Sequence, residues 1–304
     1  MPPPPLRPRR AQNRPPAHRP TPSSRRARHG TSVQLAKGRR VIATESPVLL
    51  AIDDRGIATA TLNRPHKGNA YNEDLLDALI AGLESLATKP EVRALVLRGA
   101  GKHFQAGADL DWLAVAATYT PEQAYRASMG TTRAMQLLNE FHRPTFALIH
   151  GACFGGGIGM VCCVDVALAT PDALFGITEV RVGVAPTPIS THMVHALGLR
   201  QTRRYALTGE RFGAAEAQRI GLVHEVVAAD AIEARLAHIL DETMLSAPSA
   251  IAMTKDSFLG ANGLKLDARQ MSLLAHESWT QRASPEGQEG LAAFQQKRRP
   301  GWYR

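Results

Sequence analysis

The sequence predicts a mixed α/β core followed by a helical C-terminal section, and three observations carry that expectation. Short, continuously apolar segments recur along the first two thirds of the chain, separated by turn residues and helical stripes. Two of these segments run directly into small-residue, glycine-rich turns. From Ala231 to Arg299 nearly every stretch has helical periodicity.

The elements follow in order. Val48–Leu62 alternates apolar runs around Asp53-Asp54-Arg55-Gly56, the pattern of a β-hairpin. Asn63-Arg64-Pro65 ends its second strand, and Asn72 caps a helix with an apolar stripe at Leu75, Leu76, Leu79, Ile80, Leu83 and Leu86. Pro90 stops that helix, and Val92–Leu97 is a buried strand. A first turn, Gly99 to Leu110, leads towards another helix. Strand Phe146–His150 enters a second turn, Gly151 to Gly159, with a helix expected from about Ile158. Strands Asp165–Ala169 and Ala173–Phe175 come next, then helical runs at Ser190–Leu197, Thr202–Leu207 and Ala214–Ile220, and a last strand at Leu222–Val227.

The net charge of +9 is concentrated in the N-terminus. Residues 1–40 hold eleven Lys/Arg, nine prolines and no acid, leaving 25 basic and 27 acidic residues beyond them. Residues 1–44 are therefore expected to be a disordered Pro/Arg-rich arm, since so little apolar surface cannot offset the entropy of ordering. An extension upstream of a true start near Val33 or Val41, a solvated tail, and a nucleic-acid or membrane tether all fit it. The near-neutral remainder makes no electrostatic case for nucleic acid. No apolar run is long enough to span a bilayer. Cys153, Cys162 and Cys163 form no zinc pattern, and an adjacent pair makes a poor disulfide; they read as small core residues in a reducing compartment such as the cytoplasm.

Gly155-Gly156-Gly157, between a buried strand and a helix, can bring bare backbone N–H groups close to a phosphate or a developing oxyanion. Tight packing explains such glycines equally well. No Walker Lys-Ser/Thr follows, and the turn lies too deep in the chain for a Rossmann fingerprint.

Taken in order, Thr61-Leu62-Asn63-Arg64-Pro65 with Asn69-Ala70, Gly107-Ala108-Asp109-Leu110, and His150-Gly151 with Gly155-Gly156-Gly157 resemble the crotonase (enoyl-CoA hydratase/isomerase) family. Phe175-Gly176 with Glu179, Leu207-Thr208-Gly209-Glu210-Arg211 and Ala215 with Gly221-Leu222-Val223 extend the resemblance from about residue 47 to the C-terminus. It implies a crotonase-like ββα spiral core over residues 45–245, carrying the active site, and a C-terminal helical region, 246–304, that trimerises, often as a dimer of trimers. It further implies that the N–H groups of Ala108 and Gly156 hold the thioester oxygen of an acyl-CoA substrate as it becomes an enolate. Ala106, Ala108 and Leu110 would line the CoA and acyl channel, with Arg64, Lys67, Phe294 and Lys297 near the nucleotide end. No metal and no separate cofactor are implied, coenzyme A being part of the substrate.

Hydratases of the best-known type carry two glutamates; this chain keeps one, Glu179, and has Gly159 at the other place. Some enoyl-CoA isomerases also work with one carboxylate. Ile177–Ser190 and Arg203–Phe212 resemble bacterial isohexenylglutaconyl-CoA and methylglutaconyl-CoA hydratases, which favours a hydratase acting on a branched enoyl-CoA. Gly159 is expected to free volume for a long acyl tail, and His192 and His195, more simply structural, could meet a distal carboxylate.

Overall fold

The computed structural model describes residues 40–41 and 46–302. The expected disorder of the arm falls, apart from the first strand, outside the described residues.

Strand β1 (Arg40–Val41) pairs antiparallel with β2 (Val48–Ile52), on the N-terminal side of the expected boundary at residue 45. The hairpin to β3 (Ile57–Leu62) forms as predicted. Asp53 accepts from the N–H groups of Arg55 and Ile57 at 3.0 and 2.8 Å, a turn that a short side chain with an acceptor oxygen closes. Asn72 caps α1 (Glu73–Ala87) by accepting from Leu75 N–H at 3.1 Å. The predicted leucine stripe is buried, so α1 lies on the sheet through Leu75, Leu76, Leu79, Leu83 and Leu86.

Strand β4 (Ala94–Gly99) begins two residues later than predicted, because Val92 N–H is engaged in a turn by Lys89 O. Helices α2 (Leu110–Ala116) and α3 (Pro121–Asn139) follow. Thr120 and Gln123 form a reciprocal capping box at the start of α3, worth about 1 kcal/mol. Strand β5 (Thr145–Ile149), the short β6 (Ala152–Phe154), helix α4 (Gly156–Cys162), β7 (Val166–Ala169) and β8 (Leu174–Gly176) continue the chain.

Helix α5 (Thr187–Thr208) joins the two predicted runs across a break at Gly198, whose φ is +73°. Then come β9 (Arg211–Gly213), α6 (Ala214–Arg219) and β10 (Glu225–Val226). The last strand is shorter than Leu222–Val227 because the Leu222 and Val223 N–H groups both turn back to Ala217 O. Four helices close the fold: α7 (Ile232–Met244), α8 (Pro248–Ala261), α9 (Ala268–Ala283) and α10 (Pro285–Gln295).

The seven-stranded sheet runs β1-β2-β3-β4-β5-β7-β10, parallel from β3 onward. Parallel β4 and β5 are neighbours, so the two glycine-rich turns leave the same edge of the sheet. A second sheet, β6-β8-β9, starts within the second turn, at Ala152–Phe154. Among the described residues no helix is long and apolar enough to cross a membrane.

Candidate active site

Hydrogen bonding stitches the two turns together before any ligand is considered. Gln105 N–H donates to Ala152 O at 3.0 Å, and Phe154 N–H donates to Gln105 O at 2.9 Å. The buried Gln105 side chain closes its own turn, accepting from Gly107 N–H and donating to Gly107 O, both at 2.8 Å. Buried Asn69 does the same for the upstream segment. It accepts from Arg64 N–H at 2.9 Å and donates to the carbonyls of Ala100 and His103 at 2.8 and 2.7 Å. The Asn69 and Gly107 motifs are thus hydrogen-bonding devices that hold Ala108 in place.

Several amides close to the two predicted donors are taken. Gly107 N–H goes to Gln105, Asp109 N–H to Tyr71 O at 2.8 Å, Gly155 N–H to Gly176 O at 2.9 Å, and Ile158 N–H to Gly155 O at 2.9 Å. Among the described residues, Ala108 and Gly156 N–H make no such turn or loop bond. Both residues line one cavity of about 250 Å³. Two such amides lining one cavity suit an oxygen that gains negative charge.

Glu179 begins the 3₁₀ turn Glu179–Val182 and packs against the second glycine turn. A Cβ on Gly155 would lie 2.8 Å from Glu179 Oε1, which places the carboxyl group directly over this residue, and its φ of +50° favours glycine there. Glu179 Oε2 is buried without a hydrogen-bond partner. Among the described residues no ion pair reaches this carboxylate, from neighbouring Arg181 or any other cation. Burial raises its pKa to about 7, against weaker opposing help from backbone N–H groups. A carboxyl group balanced near neutrality can both take and return a proton.

Ala106, Ala108, Leu110, Gly156, Glu179 and Phe294 all line the same cavity. Arg64, Lys67 and Lys297 do not. The Arg64 guanidinium donates to Ala70 O at 2.6 Å and to Asp109 Oδ2 at 2.7 Å, with both side chains largely buried. Lys67 pairs with exposed Asp111. Lys297 lies just beyond α10 in a left-handed conformation, φ +53°.

Gly159 does not open the acyl pocket as expected. A Cβ there would lie 2.3 Å from Ile189 Cγ2 and 3.4 Å from Met135 Sδ. Its bare backbone lets α4 approach α5 closely, and the Ile189 side chain occupies the place a longer residue would need. The distal-carboxylate role suggested for the histidines fails as well. His192 is buried away from the cavity and burial, then His195, lowers its pKa to about 4; His195 is exposed. All three cysteines are unbridged, and burial raises their pKa, that of Cys162 to about 12. They are core groups without thiolate character.

Tyr71, Thr131, Ser278 and Arg282 line the interior of the cavity and were missed in the sequence. Tyr71 stands against Gly156, where a Cβ would lie 2.5 Å from its Cε1. Burial, followed by the Glu179 charge, raises the Tyr71 pKa to about 12, so its phenol stays protonated. No sequence signal separates Arg282 from the solvated arginines of the same helical stretch.

Comparison with known proteins places the chain in a family. Residues 53–304 match the family described as enoyl-CoA hydratase/isomerase. The 2,3-dehydroadipyl-CoA hydratase of Escherichia coli is 29% identical over 262 residues, covering 83% of this chain and 97% of that protein. The crystal structure of an enoyl-CoA hydratase from Mycobacterium avium superposes with a TM-score of 0.76 at 33% identity, covering 86% of this chain and all of that one. An enoyl-CoA hydratase from Shewanella pealeana gives 0.69 at 34% identity, over 84% and 95% of the two chains. The chain has the crotonase fold and is an enzyme of the enoyl-CoA hydratase/isomerase family.

Proposed function

We propose that the chain is a hydratase that adds water across the double bond of a branched 2-enoyl-CoA, isohexenylglutaconyl-CoA being the preferred substrate and methylglutaconyl-CoA the alternative. The observation that carries the reaction type is the Glu179 carboxyl group, one of its oxygens buried without a hydrogen-bond partner, set over Gly155 in the cavity that the Ala108 and Gly156 amides also line.

The thioester oxygen accepts from Ala108 and Gly156 N–H. Glu179 takes a proton from water as its oxygen bonds to the β-carbon, and the displaced π electrons move onto the thioester oxygen as an enolate. The enolate then collapses and takes a proton from Glu179 at the α-carbon, restoring the carboxylate. Each open amide contributes roughly 2.7–4 kcal/mol of transition-state stabilisation by analogy with other oxyanion holes. Ala106, Leu110 and Phe294 flank the acyl-CoA, while Lys67, Arg64 and Lys297 stand towards its nucleotide end. The resemblance over Ile177–Ser190 supports a branched glutaconyl ester, and a relative that hydrates 2,3-dehydroadipyl-CoA supports an acyl group carrying a second carboxylate. Met253, Phe258 and Leu273, exposed on α8 and α9, suit assembly into a homotrimer or a dimer of trimers.

The competing reading is an isomerase, because one carboxylate suffices to move a proton between two carbons and Ile189 fills the space beside Gly159. Purified protein is assayed with isohexenylglutaconyl-CoA, methylglutaconyl-CoA and a 3-enoyl-CoA, following water addition and double-bond migration separately. Water addition to the branched esters is expected; migration as the sole activity would sink the hydratase reading.

A further inference from the structure

We infer that Arg282 is the specificity residue for a carboxylate at the far end of the acyl chain, binding it in an anion subsite with Tyr71 and Ser278. This rests on the reading of the cavity as an acyl-CoA site.

The cavity has a direction. Leu110 and Phe294 are 40% and 48% exposed and form its mouth, whereas Arg282, Thr131 and Ser278 are 7%, 5% and 1% exposed and form its floor. Ala108 and Gly156 line the same cavity. A thioester held there with its CoA towards the mouth sends its acyl chain to the floor.

Arg282 is a buried cation without an anion. Its Nε and Nη1 are buried and make no hydrogen bond. Nη2 has only long contacts, 3.5 Å to Ser128 Oγ and 3.4 Å to Ser278 Oγ. Among the described residues no carboxylate pairs with it. The guanidinium lies 5.8 Å from the Trp112 ring centroid, and Trp112 packs on Tyr71, which in turn covers Gly156. A guanidinium keeps its charge even when buried, and burying it unpaired is costly. A carboxylate entering from the acyl side would meet a planar fork with donors to spare, beside a phenol that stays protonated. Arg181 and Arg211 also line the cavity but are exposed, so water already solvates them.

The test uses binding of saturated esters to the full chain by calorimetry, with glutaryl-CoA, its neutral terminal-amide counterpart and hexanoyl-CoA as probes. Wild-type protein is expected to prefer the acid over the amide by roughly tenfold to a hundredfold. Arg282→Met brings that ratio to about one, and Arg282→Gln serves where Met does not fold. An acid bound no more tightly than the amide, or a preference that survives loss of Arg282, overturns the inference. Wild-type protein alone gives a second reading. A preference made by exposed Arg181 or Arg211 fades with added salt, which would also overturn it, while one made by Arg282 persists. Because no turnover is needed, failure of the hydratase reading leaves this measurement intact. Unselective binding alongside water addition would remove the Arg282 assignment alone.

Discussion

Two regions of this molecule treat charge in opposite ways. Between the first turn and the segment packed against it, two ion pairs form: Arg64 holds Asp109, and Lys67 holds Asp111. Within the cavity Glu179 and Arg282 each carry buried polar atoms without a hydrogen-bond partner. Burial alone would raise the Asp109 pKa, but the Arg64 hydrogen bond, Asp111 N–H and nearby positive charge hold it below the usual carboxylate value. Glu179, with burial and no cation, goes the other way, to about 7. Paired ions fix the loop that presents Ala108. Unpaired ions are a standing energetic cost that a substrate or a proton can relieve, which is why they mark chemistry rather than scaffolding.

Removing the unpaired carboxylate should have the largest effect. Glu179→Gln is expected to lower turnover roughly a thousandfold while CoA-ester binding persists. Near-normal turnover would end its assignment as the proton carrier. In wild-type protein, kcat/KM for hydration should rise as pH passes through about 7, because the base must be ionised, and the substitution should abolish that limb. Stability responds in the opposite sense. The folded-state pKa lies above the ordinary 4.5, so Glu179 favours folding most below pH 4.5 and loses about 3 kcal/mol of that contribution as pH rises through 7. Glu179→Gln should therefore gain stability relative to wild type on going from acid to alkaline pH, as chemical denaturation at several pH values would show.

The paired region predicts a stability defect instead. Arg64→Met leaves Asp109, only 6% exposed, without its cation. A loss of about 3 kcal/mol is expected, read as a lowered denaturant midpoint. Because Asp109 has a depressed pKa, the pair's contribution is present above the usual value of 3.8 and fades as pH falls below it. A variant as stable as wild type would mean that the pair holds nothing, and the contrast between the two regions would fail.

Sequence patterns revealed the backbone of the site better than its interior. Ala108, Gly156 and Glu179 sit in turns whose glycines and strand ends leave a local signature, and all three line one cavity. Tyr71, Thr131, Ser278 and Arg282 leave none, because tertiary packing alone brings them together. Helix α3, which supplies Thr131, has no mark in the pattern beyond Thr120-Pro121 and Gln123, since small residues and threonines blur its apolar stripe. Arg282 lies in a helix whose sequence is compatible with full solvation. Gly159 misled for a related reason: a missing side chain says that space is needed but not what fills it, and Ile189 does.

Lys67 is the finest test of the comparison, since it is paired yet exposed. A pair of this kind contributes little to folding because water and salt already screen both ions. Lys67→Met should leave the melting temperature unchanged, unlike Arg64→Met. If Lys67 stands towards the nucleotide end, its ammonium can exchange Asp111 for a phosphate, and the variant should bind CoA esters a few-fold more weakly at low ionic strength, roughly threefold, with the difference vanishing as salt is added. Titrating one CoA ester against both proteins at low and high salt separates the outcomes. A difference that ignores salt would point to a changed loop conformation, and no difference at either salt would leave Lys67 a partner of Asp111 only.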